Sequence, residues 1–534
     1  MPFNMLFMKK YSFLLFWLCA ATGLFAQSIP YDTLKSLGET ITADELRELL
    51  TVLASDDMEG RETGTEGQRK AAAWLAGQFE QMGLPPIGDD HSYFQNIAFT
   101  RERWKDIQLT VNKKAYKDKW DFYAWPNTNT DIELKAKKIV FLGYGIDHEK
   151  YSDYKGADVS GKVLLIYDGE PVNSAGISYL TGKETLSEWS TDWRHKARAA
   201  FRHGAAGILI IDNQFKSNLQ KYNKYILTNG MRIGPGEFPE SNYAPNLFIS
   251  TDIAKNIMGR HFRKVIKARD AIKATGQPHH VPLKAKLTWK QEKAVWQILG
   301  SNVLGYIEGT DEKLKHEVVV ISAHYDHLGK KGDAIFNGAD DDGSGTCTVL
   351  EVAEAFAEAK KRGLGPRRSV LCLLVSGEEK GLLGSKYYTE FPIFPLDQTV
   401  ADVNVDMVGR VDKKHAGNPN YIYVIGADRL STDLHDINEM ANKNFTQLEL
   451  DYTYNDPKDP NRYYYRSDHY NFAEKGIPSV FYFNGTHEDY HKPTDTVDKI
   501  NFEKMEKIGR LVFHTAWELA NRAERIRVNV TGKN

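Results

Sequence analysis

The chain has 534 residues, 41% hydrophobic and 26% charged, with a formal net charge of -2. That length gives room for on the order of two to four domains with substantial cores, and the balance is that of a soluble globular protein. Near-neutrality excludes the basic footprint of a general nucleic-acid binder and a strongly acidic surface.

The first residues depart from this average. Lys9 and Lys10 precede an apolar run over 11–18, and small residues then lead to Leu24-Phe25-Ala26-Gln27. This reads as a secretory signal cleaved after Ala26. The run is shorter than the roughly 20 residues of a spanning helix, so the expectation is export to a periplasm or beyond, with no stable membrane insertion after cleavage. A lipoprotein would use Cys19, but Phe16, Trp17 and Leu18 before it are bulky where small residues are expected. The mature chain then keeps Cys347 and Cys372, both in apolar runs and expected as buried small hydrophobes.

The spacing of Leu46, Leu49, Leu50 and Leu53 predicts a helix over 42–53, and a second amphipathic helix spans 66–82 and stops at Gly83. Short strands follow at 138–143 and 162–167, a helix at 196–203 and a strand at 207–211. The expected division is therefore a lead-in over 27–129, a β-rich insertion over 130–290 and a larger domain over 291–534. In that last part apolar strands at 318–323, 369–375, 399–405, 421–425 and 479–483 alternate with helices at 345–359, from 382, and at 502–523. Strands that are apolar throughout and separated by helices predict an α/β fold with a mostly parallel sheet between helices. Ligands of such folds bind at the C-terminal ends of the strands.

Polar clusters stand at those ends: His324-Tyr325-Asp326-His327, Asp340-Asp341-Asp342-Gly343-Ser344-Gly345, Glu378-Glu379, Asp406, and Tyr490-His491. Any one of them has an ordinary reading as a polar strand end or a solvated turn. Jointly, two histidines and three carboxylates form a donor set for two borderline metal ions, with one carboxylate shared and positions open for water and substrate. Asp326 is placed to orient the His324 imidazole. Glu378 and Glu379, as neighbours on extended backbone, would point to different sides, one to metal and one to a water as general base.

These segments, in this order, resemble metallopeptidase family 28, the zinc-dependent aminopeptidases and carboxypeptidases that include glutamate carboxypeptidase II. The resemblance covers the lead-in helices and roughly 300–520. It implies a zinc-exopeptidase fold and two Zn2+ per chain. Asp341 would bridge the ions, His324 and Asp406 hold one, Glu379 and His491 the other, and Glu378 act as base. It also implies a cis peptide between Asp341 and Asp342, a carbonyl-polarising role for Tyr490, and peptide substrates. Turns such as Gly143-Tyr144-Gly145 and Gly204-Ala205-Ala206-Gly207 make the insertion similar to a protease-associated domain. Ser467-Asp468-His469 resembles a stretch near the family's substrate pocket, so His469 is a pocket candidate. Within the resemblance an aminopeptidase is favoured. A carboxypeptidase would need Arg410, Arg462 or Arg466 for a substrate carboxylate, a glutaminyl cyclase would hold one zinc, and a non-catalytic relative would lack ligands.

Overall fold

A computed structural model of the chain describes residues 29–227, 230–234 and 242–530; the expected signal segment lies outside them. The main strands are β1 (Phe94–Val111), β2 (Ile132–Phe141), β3 (Val163–Tyr167), β4 (Gly207–Ile211), β5 (Asn246–Ile249) and β6 (Val281–Ile307). They continue with β7 (Val318–His324), β8 (Ser369–Val375), β9 (Thr399–Val405), β10 (Tyr421–Ile425) and β11 (Ser479–Phe483). One continuous sheet joins them in the order β10-β11-β9-β7-β8-β6-β2-β3-β4-β5.

Around β7 the sheet is parallel: β7 pairs with β8 and β9, and β9 with β11, all in parallel register. Each of these strands is buried along its whole length, as expected of a sheet covered on both faces. On one side lie the helices Ala43–Leu53, Gly345–Lys361 and Phe502–Asn521. On the other, Leu304, Val318, Val320, Leu371, Leu373 and Val375 pack against Tyr388 and Phe472. Thr42 caps the first of those helices: its hydroxyl oxygen accepts the Glu45 amide and its O–H donates to the Glu45 carboxylate at 2.7 Å. Cys347 and Cys372 are free and buried, as expected.

A second core gathers residues from Ile107 to Trp289 over the parallel strands β2 to β5. Helices as well as strands build it, among them Arg194–Arg202, Thr251–Met258 and Phe262–Thr275. The chain passes between the two cores within a strand. The 27-residue β6 pairs with β2 from Val281 to Gln291 and with β8 from Val303 to Ile307. Strand β1 runs antiparallel beside it from Val111 to Phe94, with one irregularity between Trp104 and Asp106. Burial alternates along β6 up to Trp289 and becomes nearly continuous from Asn302. The first part therefore serves a one-sided core and the last part the two-sided one.

The final helix carries one unusual core residue. His514 is buried and stacked on Phe445 with ring centroids 3.6 Å apart. Burial, helped by the charge of Arg510, pulls its pKa down to about 3. The ring is therefore neutral in the native state, whereas an unfolded histidine protonates near ~6.5. The stability it contributes is fully present above that value and declines as pH falls toward 3, by about 1.4 kcal/mol per pH unit. In urea titrations between pH 7 and pH 4.5, wild type is expected to lose stability more steeply than His514→Leu by about that slope; parallel curves would show that His514 does not titrate between the two states.

Candidate metal centre

The C-terminal ends of three parallel strands deliver the expected residues to one place. β7 ends in His324 and runs on through Tyr325, Asp326 and His327. β9 leads directly to Asp406. After β8, Gly377 takes φ 78° and turns the chain into a 3₁₀ turn over Glu378–Lys380. Expected on extended backbone, Glu378 and Glu379 instead diverge because a 3₁₀ turn rotates the chain by about a third of a turn per residue. Asp341 lies in the irregular turn Ala339–Ser344 that opens the helix Gly345–Lys361, and its peptide bond to Asp342 is cis. The Asp342 carboxylate ties this turn to the strands, accepting the amides of His324 (3.2 Å), Gly345 (2.9 Å) and Met407 (2.9 Å).

Two groups of donor atoms result, and Asp341 belongs to both. His324 Nε2 stands 3.4 Å from Asp341 Oδ1 and 3.6 Å from Asp406 Oδ1. On the other side, His491 Nε2 is 3.0 Å from Asp341 Oδ2 and 3.1 Å from Glu379 Oε1. Ligands bound about 2.1 Å from a shared tetrahedral ion lie roughly 3.4 Å from one another, so both sets have the spacing of a coordination shell. Among the described residues, Asp341 Oδ2 and Glu379 Oε1 are buried without a hydrogen-bond partner. Buried carboxylate oxygens are costly in that condition, and a cation would satisfy them. The donor set therefore fits two metal ions.

Charge is distributed to match. Burial alone would raise the Asp341 carboxyl, but the charge of His327 and contacts with His324 and His491 hold it well below the usual range. Burial pulls the His491 imidazole down, yet Asp341 and Glu379 outweigh it and raise it to about 9. Glu378 goes the other way: burial, with the negative charges of Asp406, Asp468 and Glu379, pushes it well above the carboxylate range despite His324. Its Oε2 stands 3.8 Å from His324 Nε2, at the wall of the cavity beside the cluster.

Tyr463, Phe481, Phe483 and Met407 form the apolar part of that cavity's lining. Arg466, Tyr490 and Glu378 line it too, and they also line a wider recess that reaches Trp125 and Met231 on the second core's side. Tyr490 stacks on His491 at 3.8 Å and accepts a hydrogen bond from Arg466 at 3.4 Å. Of the three arginines singled out for a substrate carboxylate, Arg410 is committed to Glu488 (3.2 Å) and Asp489 (3.0 Å), and Arg462 lies over the Tyr465 ring at 4.7 Å. Only Arg466 among those three lines the cavity.

Two expectations change. His324 Nδ1 is oriented by the main-chain oxygen of Asp326 at 3.0 Å, whereas the Asp326 carboxylate is 3.9 Å away. That carboxylate instead accepts Thr63 (2.7 Å) and the Glu378 amide (3.1 Å), coupling the two loops. His469, a pocket candidate, does not line the cavity. It is fully buried behind Phe481, stacked at 4.9 Å, and burial lowers its pKa to about 3; the helix that it begins turns the ring inward.

Sequence reasoning also passed over residues that serve the cluster. Arg61 is fully buried and donates to the carbonyls of Leu53 (3.0 Å), Tyr325 (2.7 Å), Asn337 (2.5 Å) and Gly338 (2.9 Å). Asp495 accepts the amides of Asp340 and Asp341 at 3.0–3.2 Å. Ser467 donates to Asp406 at 2.7 Å. His327 stands 3.0 Å from Glu379. The polar turn around Arg61 was visible as a turn, but nothing local marks an arginine that binds carbonyls far along the chain.

Residues 302–516 match the sequence profile of peptidase family M28. A probable leucine aminopeptidase of Arthroderma otae is 31% identical over 239 residues, 43% of this chain and 61% of that protein. An aminopeptidase of Bacillus subtilis is 26% identical over 241 residues, 44% of this chain and 48% of its own length. The chain thus spans about six tenths or less of the curated relatives it matches. Among solved structures, an aminopeptidase from Aneurinibacillus sp. strain AM-1 superposes with a TM-score of 0.57 at 19% identity, over 93% of this chain and 98% of that one. The last likeness shows that the two chains share a fold over nearly their whole lengths.

Arg61 generates a test of how the cluster is held. Arg61→Ala strips a charged donor from four buried carbonyls, each such bond being worth about 1.5–3 kcal/mol. The variant is expected to lose at least ~3 kcal/mol in denaturant titrations and to bind zinc more weakly, since the loops bearing His324 and Asp341 lose their tie.

Proposed function

We propose that this protein is an exported di-zinc exopeptidase, an aminopeptidase that releases N-terminal residues from peptides. The observation that carries the reading is the shared carboxylate: Asp341 presents one oxygen to His324 and the other to His491, with Asp406 and Glu379 completing the two groups. His324, Asp341 and Asp406 would hold one ion, and Asp341, Glu379 and His491 the other. Two zinc ions so placed supply Lewis acidity toward a scissile carbonyl and lower the pKa of water toward about 7.

The chain's own groups do the proton work. Glu378 lines the cavity beside both groups without belonging to either triad, so it takes a proton as water attacks the carbonyl carbon. It then returns that proton to the leaving amine nitrogen as the C–N bond breaks. Burial, with the charges of Asp406, Asp468 and Glu379, raises its proton affinity above that of an ordinary carboxylate despite His324, which suits a general base. Tyr490 accepts from Arg466, so its own O–H is left to donate to the oxygen of the tetrahedral centre. The cavity wall formed by Phe481, Phe483, Tyr463 and Met407 suits an apolar side chain. Support for aminopeptidase over carboxypeptidase comes from the named relatives and from the commitment of Arg410. The insertion over 130–290 is proposed as a protease-associated module whose edge forms part of the recess rim. Among the described residues no helix is long and apolar enough to cross a membrane.

Two experiments test this. Metal analysis of the mature protein is expected to give two zinc per chain, with Glu378→Gln keeping the metal and losing ~10²–10⁴-fold in kcat on aminoacyl-p-nitroanilides; one zinc per chain, or full activity in that variant, would overturn the reading. Across the panel, leucyl and phenylalanyl substrates should exceed alanyl and aspartyl ones. Phe483→Ala should cut the leucyl-to-alanyl ratio of kcat/KM by about tenfold, the worth of one to two buried methylenes.

A further inference from the structure

The second group of donors has a member that the pairing of Glu379 with His491 does not require. His327 follows His324 by three residues, and its Nδ1 lies 3.0 Å from Glu379 Oε1 and 3.9 Å from Asp341 Oδ2. Its ring centroid is 5.8 Å from that of His491, with the planes inclined at 63°. The side chain is fully buried. Among the described residues neither of its ring nitrogens has a hydrogen-bond partner, and the two oxygens that Nδ1 faces, Asp341 Oδ2 and Glu379 Oε1, have none either.

This combination separates two roles. An imidazole that merely positioned Glu379 would aim its Nδ1–H along the line to the carboxylate oxygen. Here the oxygen is at hydrogen-bond distance, yet neither atom is hydrogen-bonded to the other. Donors around one ion have that relation: close to one another, aimed at the centre and not at each other. The orientation is held from behind. The His327 amide donates to the Arg61 carbonyl at 3.3 Å, and a side chain at Gly338, which has φ 57°, would strike the ring at 2.6 Å.

We propose that His327 is a fourth protein ligand at the Glu379–His491 position, bound through Nδ1. The inference rests on the two-metal reading above and makes the two positions unequal. Asp341, Glu379, His491 and His327 would offer four protein donors at one position, and Asp341, His324 and Asp406 three at the other. The ion with four donors would be retained the longer, while both positions adjoin the cavity that Glu378 lines.

Cobalt(II) substitution of the full mature chain reads this without reference to turnover. After addition of two equivalents, each imidazole bound to cobalt gives one strongly shifted, solvent-exchangeable N–H proton resonance. Three such signals are expected in the wild type, two in His327→Ala, and the His327 signal should be slow to disappear in deuterated buffer because the ring is fully buried. Graded chelation of the zinc form should release one ion at least tenfold more readily than the other, and His327→Ala should narrow that gap at least tenfold. Two signals in a wild type that binds two cobalt ions would overturn the proposal and leave the two-metal reading standing. Binding of fewer than two cobalt ions per chain would overturn both. The wild-type count decides the matter even if the variant does not fold.

Discussion

The carboxylate of Asp341 is shared between two sets of imidazoles and acids, and the head of the sheet is organised around that sharing. A buried carboxylate with one oxygen facing His324 and the other facing His491 and His327 is held low in pKa by those neighbours. Its position is fixed from the main chain on three sides. Asp495 accepts the amides of Asp340 and Asp341, Asp342 accepts those of His324, Gly345 and Met407, and Arg61 holds the carbonyls of Asn337 and Gly338. Main-chain amides and carbonyls thus meet the charged groups around Asp341, which is how a low-dielectric interior tolerates so many ionisable groups.

The sheet itself was readable in the sequence because its central strands are apolar on both faces, a pattern that only a doubly covered sheet requires. His324, Glu379 and Asp406 were readable for the same reason: each follows such a run, and strand ends in α/β folds are where function sits. Other features were hidden by the range over which they act. Arg61 binds Gly338 across 277 positions, and Thr63 meets Asp326 across 263. His327 was quoted with the first cluster and passed over, since its closeness to Glu379 depends on a turn after β8 that spacing does not reveal. The same turn replaced the extended geometry assumed for Glu378 and Glu379. His469 illustrates the opposite error: a polar residue in a suggestive tripeptide, placed by its helix against Phe481 inside the core.

The link between the two cores also eluded pattern reading. Strand β6 has a clean two-residue alternation up to Trp289 and then loses it, and an element of 27 residues is far longer than a typical strand of about 5–6. Sequence logic breaks such a stretch in two. The backbone does not, because β1 supplies hydrogen-bond partners on one edge from Leu287 to Val303, across the point where the alternation is lost. Sheet pairing here is decided by a partner that lies almost two hundred positions away.

That ladder has a mechanical consequence. One bank of the recess, at Trp125 and Met231, and the opposite bank, at Tyr465 and His491, are joined by a ribbon whose register is locked rung by rung from Phe94↔Val303 to Val111↔Leu287. Parting the banks would mean breaking rungs, and sliding them by a single rung would turn every buried side chain of β6 to the wrong face. The opening therefore behaves as a fixed caliper and not as a jaw. What enters is decided by the girth of the incoming chain end and by the rotamers at the rim, so the width of the passage is written into strand pairing far from any atom that touches a peptide.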